Sequence, residues 1–192
     1  MNRLRSYIEA VAPIQEVTWN VVAELFRPQR LVKNEYFALA GRVEHTAAYV
    51  AEGILRAFYR DADGLEYTKT FFMADDFVGA FSSLVTGQTN QIYIQALSDC
   101  ELFIADYPAL TRLYDTHPDW ERFARKLAEG YFVFKEQREL ELALLNADER
   151  YLRFRAEYPG LEQHIAQYHV ASYLGITPTQ LSRIRAKIFA RA

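Results

Sequence analysis

The 192-residue chain has one cysteine, Cys100. A single thiol cannot build an intramolecular disulfide, a cysteine-only iron–sulfur cluster or a Cys-rich zinc finger. No run of 18 apolar residues occurs, so no segment reads as a transmembrane helix and no membrane partner is expected. The opening Met1–Ser6 leads directly to Glu9 without the apolar core of a signal peptide, so a cytoplasmic location is expected. The four histidines, His45, His117, His164 and His169, are scattered without HxH or HExxH spacing. Only His45 falls in the strand-rich region, so a cupin-type metal enzyme lacks its ligand set. A single axial histidine for haem stays compatible with the sequence. GxSxG, Walker and GxGxxG patterns are missing, and Asp61, Asp63, Asp75 and Asp76 lack EF-hand spacing. The chain is expected not to be an enzyme and to need no metal or cofactor. Carboxylates are missing from one stretch as well: none follows Glu162, while Arg183, Arg185, Lys187 and Arg191 do. That end carries +4, against −7 for the first 162 residues, which suits an anionic partner there or a solvated basic helix.

What is present supports a packed protein of one large or two small domains. Hydrophobic residues make up 51% and charged residues 24%, with 13 Tyr, 13 Phe and 2 Trp. Ile14, Val17, Val21, Val22 and Leu25 have helical spacing, with Pro13 suited to the first turn and Pro28 beyond the end. From Arg30 to about Ala105 the pattern becomes strand-like, with short runs at 31–33, 36–39, 47–50, 53–60, 65–72, 92–97 and 101–104. Asp61–Gly64 reads as a hairpin loop, and the whole as a sandwich or jelly-roll-like barrel. Tyr49, Phe58, Tyr67, Phe81 and Tyr93 are candidates to line its cavity or pack its core, and Cys100 reads as a buried strand residue.

After Pro108 a short helix is expected, and Pro118 opens a long one. Trp120, Phe123, Leu127 and Phe134 fit a heptad seam with Gly130 at another seam position. This spacing suggests pairing with a second helix, the alternative being packing on the chain's own β-domain. Three further helices are expected at about 148–158, 165–174 and from Thr177 or Pro178 onward. The predicted organisation is α+β: an N-terminal helix and β-roll over 1–117, a long dimerisation helix over 118–146, and a three-helix DNA-binding segment over 147–192.

The segment Gln167–Lys187 carries the strongest signal. Ala171 permits a close helix crossing, and Gly175 suits a left-handed helix end. Ile176 can plug the space between helices, Thr177 can cap the next one, and Pro178 suits its first position. Leu181, Ile184 and Ile188 form one inward face. Thr179, Gln180, Ser182, Arg183 and Arg185 lie largely off it. This is a helix-turn-helix with a polar, basic second helix. Arg183 suits a guanine, Gln180 an adenine and Thr179 a thymine methyl or base edge, while Arg185, Lys187 and the backbone at the helix start suit phosphates. The expected DNA-binding set is therefore Thr177, Thr179, Gln180, Ser182, Arg183, Arg185 and Lys187, on double-stranded DNA.

With these residues in view, nearly the whole chain, from about Ile14 to Ile188, resembles a Crp/Fnr-superfamily transcription regulator, in particular its short Bacteroidetes-type members. The hairpin at Asp61–Gly64, the run Ala74–Gly79 and the run Ala96–Leu102 resemble a cyclic-nucleotide-binding β-roll. The helix after Pro118 resembles the family's dimerisation helix, and Val170–Lys187 its helix-turn-helix. The resemblance implies a homodimer through that helix, a two-fold DNA site, contact with RNA polymerase and a small-molecule effector. Three departures stand out. The phosphate cassette of cyclic-nucleotide binders has Gly-Glu and then Arg-Ser, whereas the same register here holds Gly79-Ala80 and Asn90-Gln91, so cyclic AMP is not the expected effector. The cysteines of oxygen-sensing relatives are missing. The sequence also ends soon after the recognition helix, without residues for a full β-wing. An effector-binding or protein-interaction module with a degenerate helix-turn-helix is the competing expectation.

Overall fold

The structure, a computed structural model, describes residues 1–190. Its contacts separate two compact units: Met1–Tyr59 with Thr70–Tyr131, and Arg60–Lys69 with the chain from Phe132 onward. The division falls within the long helix rather than at either of its ends.

The first unit opens with two helices, α1 (Asn2–Val11) and α2 (Glu16–Leu25). The periodicity at 14–26 matches α2. Pro13 lies in the link before it rather than in its first turn, and α1 escaped the sequence reading although Leu4 and Ile8 have i,i+4 spacing and are fully buried. Eight strands follow: β1 (Arg27–Leu31), β2 (Tyr36–Ala38), β3 (Thr46–Glu52), β4 (Leu55–Arg60), β5 (Glu66–Phe72), β6 (Phe77–Val78), β7 (Tyr93–Ala96) and β8 (Cys100–Asp106). They form two four-stranded sheets, ordered β1-β8-β3-β6 and β2-β7-β4-β5. Pro28 sits in the edge strand β1, opposite Phe103, where a missing N–H costs least.

Leu31, Val50, Leu102 and Ile104 of one sheet meet Leu55, Ala57, Phe72 and Ile94 of the other in a sandwich core. The outer face of the first sheet is covered too. Tyr49 and Ala105 pack with Leu4, Ile8, Trp19 and Val22, and with Leu110 of α4 (Tyr107–Arg112). Burial on both faces explains why β3 and β8 read as continuous apolar runs. The short α3 (Phe81–Thr86) and β6 left no periodic signal.

The long helix α5 (Pro118–Leu144) begins inside this second cluster. Trp120 and Phe123 are almost fully buried there, Trp120 donates through Nε1 to Leu110 O at 3.0 Å, and Leu127 packs against the same cluster. This corrects the heptad reading in favour of its alternative for the first half of the seam, which packs within the chain itself. Asp119, also in the first turn of α5, caps α2. Its carboxylate accepts from Gln15 N–H at 2.8 Å and from the Thr18 hydroxyl at 2.9 Å. Burial pushes this carboxyl up, but these hydrogen bonds outweigh it and hold the group below the usual range. A group with a lowered native pKa stabilises fully above its unfolded value and loses that contribution as pH falls through the native one. Asp119→Ala is therefore expected to cost about 1–2 kcal/mol at neutral pH. The gap to wild type should close below about pH 4. Urea unfolding at pH 7 and pH 3 reads both; an equal gap at the two values would contradict the assignment.

In the second unit, the loop between β4 and β5 closes through Asp61 Oδ1, which accepts from the N–H groups of Asp63 and Leu65 at 3.0 and 2.9 Å. Three helices follow α5 over the described residues: α6 (Ala147–Glu157), α7 (Gln167–Leu174) and α8 (Pro178–Phe189), with a 3₁₀ turn at Leu161–Gln163. Phe154, Tyr158 and Tyr173 form their aromatic centre, with ring centroids 5.6–5.7 Å apart.

Candidate nucleic-acid interface

The turn between α7 and α8 follows from local sequence. Gly175 has φ +67°, in the left-handed region where a side chain would strain the backbone. Its N–H donates to Ser172 O at 3.3 Å and that of Ile176 donates to Ala171 O at 3.0 Å, a Schellman ending. Thr177 then starts α8 with a capping box. Its Oγ1 accepts from Gln180 N–H at 3.2 Å, and Gln180 Oε1 accepts from Thr177 N–H at 3.0 Å. Leu181 and Ile184 are buried and Ile188 partly so, as the spacing predicts. Ala171 is buried in the middle of α7.

Thr177, Thr179, Gln180, Ser182 and Arg183 are all exposed. They do not stand alike. The capping box engages Gln180 Oε1, so the two-pronged adenine contact expected for this amide would require opening the box. Arg185 is half-buried and paired with Glu162 at 3.7 Å. Glu162 also takes Arg155 at 3.4 Å and the Tyr151 hydroxyl at 2.9 Å. Lys187 is ion-paired with Asp148 of α6. The two cations assigned to phosphates thus have internal carboxylate partners, and Arg191 lies outside the described residues. Thr179, Ser182 and Arg183 form the outward face of α8. Sequence reasoning missed Asp148 and Glu162 as partners of the basic helix because Lys187 and Arg185 lie far from them along the chain and no local pattern links them.

The expected cassette residues lie elsewhere, in the first unit. Gly79 and Ala80 precede α3, and Asn90 and Gln91 end the loop after it. At Gly79 an added Cβ would meet only the far end of the Leu84 side chain closely, Cδ1 at 2.8 Å, which can turn aside. Ala80 is buried in the sandwich core. Asn90 is 3% exposed, and its side chain is consumed by backbone: Nδ2 donates to Leu39 O at 3.1 Å and Ile92 O at 2.6 Å, and Oδ1 accepts from Ile92 N–H at 2.9 Å. It is a loop staple. Gln91 is exposed and donates to Thr89 O at 3.3 Å. Of the cavity candidates, Tyr67 and Phe81 are exposed, whereas Tyr49 packs under the N-terminal helices and Phe58 stacks on Tyr93. Cys100 is buried on β8. No cluster of metal-ligating side chains occurs among the described residues. No helix among them is long and apolar enough to cross a membrane.

Residues 28–117 match the cyclic nucleotide-binding domain family. An 80-residue stretch, 42% of the chain, is 30% identical to the cAMP-activated global transcriptional regulator CRP of Pasteurella multocida, and it spans only 38% of that protein. The fold extends further than the sequence match. The c-di-GMP responsive global regulator CLP of Xanthomonas campestris aligns with a TM-score of 0.73 at 18% identity, over 92% of this chain and 93% of its own. A Eubacterium rectale chain described as a transcriptional regulator of the crp/fnr family aligns with a TM-score of 0.72 at 15% identity, over 93% of this chain and 85% of its own.

Proposed function

We propose that the protein is a homodimeric, DNA-binding transcription regulator, a reading supported by the match of residues 28–117 to the cyclic nucleotide-binding domain family and by the likeness of fold to solved regulators over 92–93% of the chain. The observation that carries this is the outward face of α8. Thr179, Ser182 and Arg183 project from a rigidly capped helix whose other side is locked into a small core. A helix so presented fits the major groove, with its early residues at base edges. The second copy would lie along the later part of α5, where Phe132, Val133, Leu140 and Leu144 are exposed. Burying such residues against a copy of themselves removes an apolar surface from water and sets two α8 helices at a fixed spacing. RNA polymerase is the expected partner of the DNA-bound dimer.

The effector is proposed not to be cyclic AMP. Relatives of this fold are named for different nucleotides, so the fold alone does not choose the ligand. A buried cyclic phosphate needs a cation or free donors, and Asn90 offers neither. Calorimetric titration with cyclic AMP is expected to show no binding at concentrations up to about 100 μM. Micromolar affinity would overturn this reading of the cassette.

A second reading has one observation behind it. Arg185 and Lys187 are neutralised internally, which suits an effector-binding or protein-interaction module whose helix-turn-helix no longer binds DNA. The deciding experiment is capture of fragmented genomic DNA by the purified protein at two salt concentrations, followed by sequencing. The regulator reading expects a palindromic motif with half-sites about one helical turn apart. Binding without a motif that vanishes at the higher salt would support the interaction module.

A further inference from the structure

An α-helix leaves its last four carbonyls without helical N–H partners, and buried ones must find others. In α7 these belong to Ala171, Ser172, Tyr173 and Leu174. The Schellman turn satisfies the first two. Two arginines from outside the motif take the rest. Arg138 donates through Nη2 to Tyr173 O, and Arg150 of α6 donates through Nε to Leu174 O at 3.1 Å. Arg150 also donates to Leu145 O at 2.8 Å, tying down the link between α5 and α6. Two positive side chains thus meet the negative end of α7, where the helix dipole favours them.

Arg138 is the unusual member, because it belongs to α5. Its side chain is 10% exposed and is aligned by Glu141 at 3.4 Å. The guanidinium carbon lies 3.9 Å from the centroid of the Tyr173 ring, so one side chain holds both the carbonyl and the ring of the same residue. The far end of that ring is fixed as well, the Tyr173 hydroxyl donating to Glu157 at 3.0 Å. Two residues beyond Tyr173 is Gly175, and after it α8 begins. A lysine could reach the carbonyl but would lose the planar stack and the fork.

We propose that Arg138 is a positioning residue that fixes the reading helix α8 relative to α5, so that the spacing of the two α8 helices in a dimer follows the geometry of the α5 pair. The inference rests on the DNA-binding reading above and assigns the residue through which that site is regulated. A signal that shifts α5 reaches α8 by this contact, since both are tied to Tyr173.

The test compares full-length wild type, Arg138→Lys and Arg138→Gln on two DNAs, the complete palindrome and a single half-site. Fixed spacing matters only when both half-sites are engaged. Both variants are expected to stay dimeric, to lose about tenfold in affinity for the palindrome, and to bind the half-site as wild type does. A purely structural role would weaken both DNAs alike; that result, or an unchanged palindrome affinity, overturns the proposal. If the wild type binds neither DNA, the regulator reading falls, and hydrogen exchange then decides the coupling on its own. Arg138→Gln should speed exchange of the Gly175 and Ile176 amides about tenfold while leaving the amides of α6 unchanged. Unchanged exchange at the turn, or a rise throughout the unit, overturns it.

Discussion

Phe123→Ala is expected to lower the stability of the protein by about 3–5 kcal/mol without weakening the proposed self-association. Phe123 is 1% exposed and stands at the centre of the cluster formed by the N-terminal helices, the outer face of the first sheet and the start of α5. Its ring lies 5.1 Å from Trp120, 5.6 Å from Phe77 and 6.5 Å from Tyr7. Truncation removes all three contacts and leaves a cavity that helices anchored at both ends close only in part. Urea unfolding reads the stability loss, and sedimentation reads the dimer. Leu140→Asp is the complementary change. Leu140 is exposed, so a charge there leaves folding nearly intact but places two like charges at the proposed dimer seam. If Phe123→Ala dissociates the dimer while costing under about 1 kcal/mol of stability, the intramolecular assignment of this part of α5 is wrong.

Arg183→Ala is expected to weaken binding to the captured palindrome by about five- to 150-fold per half-site, or 1–3 kcal/mol. Thermal stability should not move, because Arg183 is exposed and lies off the buried face of α8. The contrast with its neighbours is the physical reason. Arg185 and Lys187 must exchange Glu162 and Asp148 for phosphate, so their net gain on binding is small. Among the described residues no carboxylate pairs with Arg183, which can offer its fork to a guanine. Competition binding at two salt concentrations separates base from backbone contact. A base contact costs affinity only on the palindrome and leaves the salt slope in place. Equal losses on palindrome and random DNA, with a slope shallower by about one, would move Arg183 to the phosphates.

The helix-turn-helix was legible because nearly every device that shapes it is local. Gly175, Thr177 and Pro178 act within four residues of themselves, and the buried Leu181 and Ile184 repeat at helical spacing. The hairpin around Asp61–Gly64 was legible for the same reason, its loop being closed by one side chain on adjacent N–H groups. Most strands of the roll were legible as short apolar or alternating runs, but β1 and β6 were not. Helix α1 was not, since only Leu4 and Ile8 of its face are buried and basic and polar residues surround them.

The sequence by itself thus determined most of the elements after α1 and the turn that presents α8, and it set the expectation that Asn90 and Ala80 do not suit a cyclic phosphate. Each is a matter of local backbone preference or of which chemical groups exist at a position. Tertiary structure alone decided three other matters. It placed the first half of the α5 stripe inside the subunit, because an apolar stripe states that a face is buried and not what buries it. It showed Asn90 to be a staple between loops, with Leu39 O more than 50 residues away. It divided the charge of α8 as well: the +4 of the final segment is a sum along the chain, but attraction depends on distance in space. Folding brings Asp148 and Glu162 to Lys187 and Arg185, and leaves Arg183 facing outward.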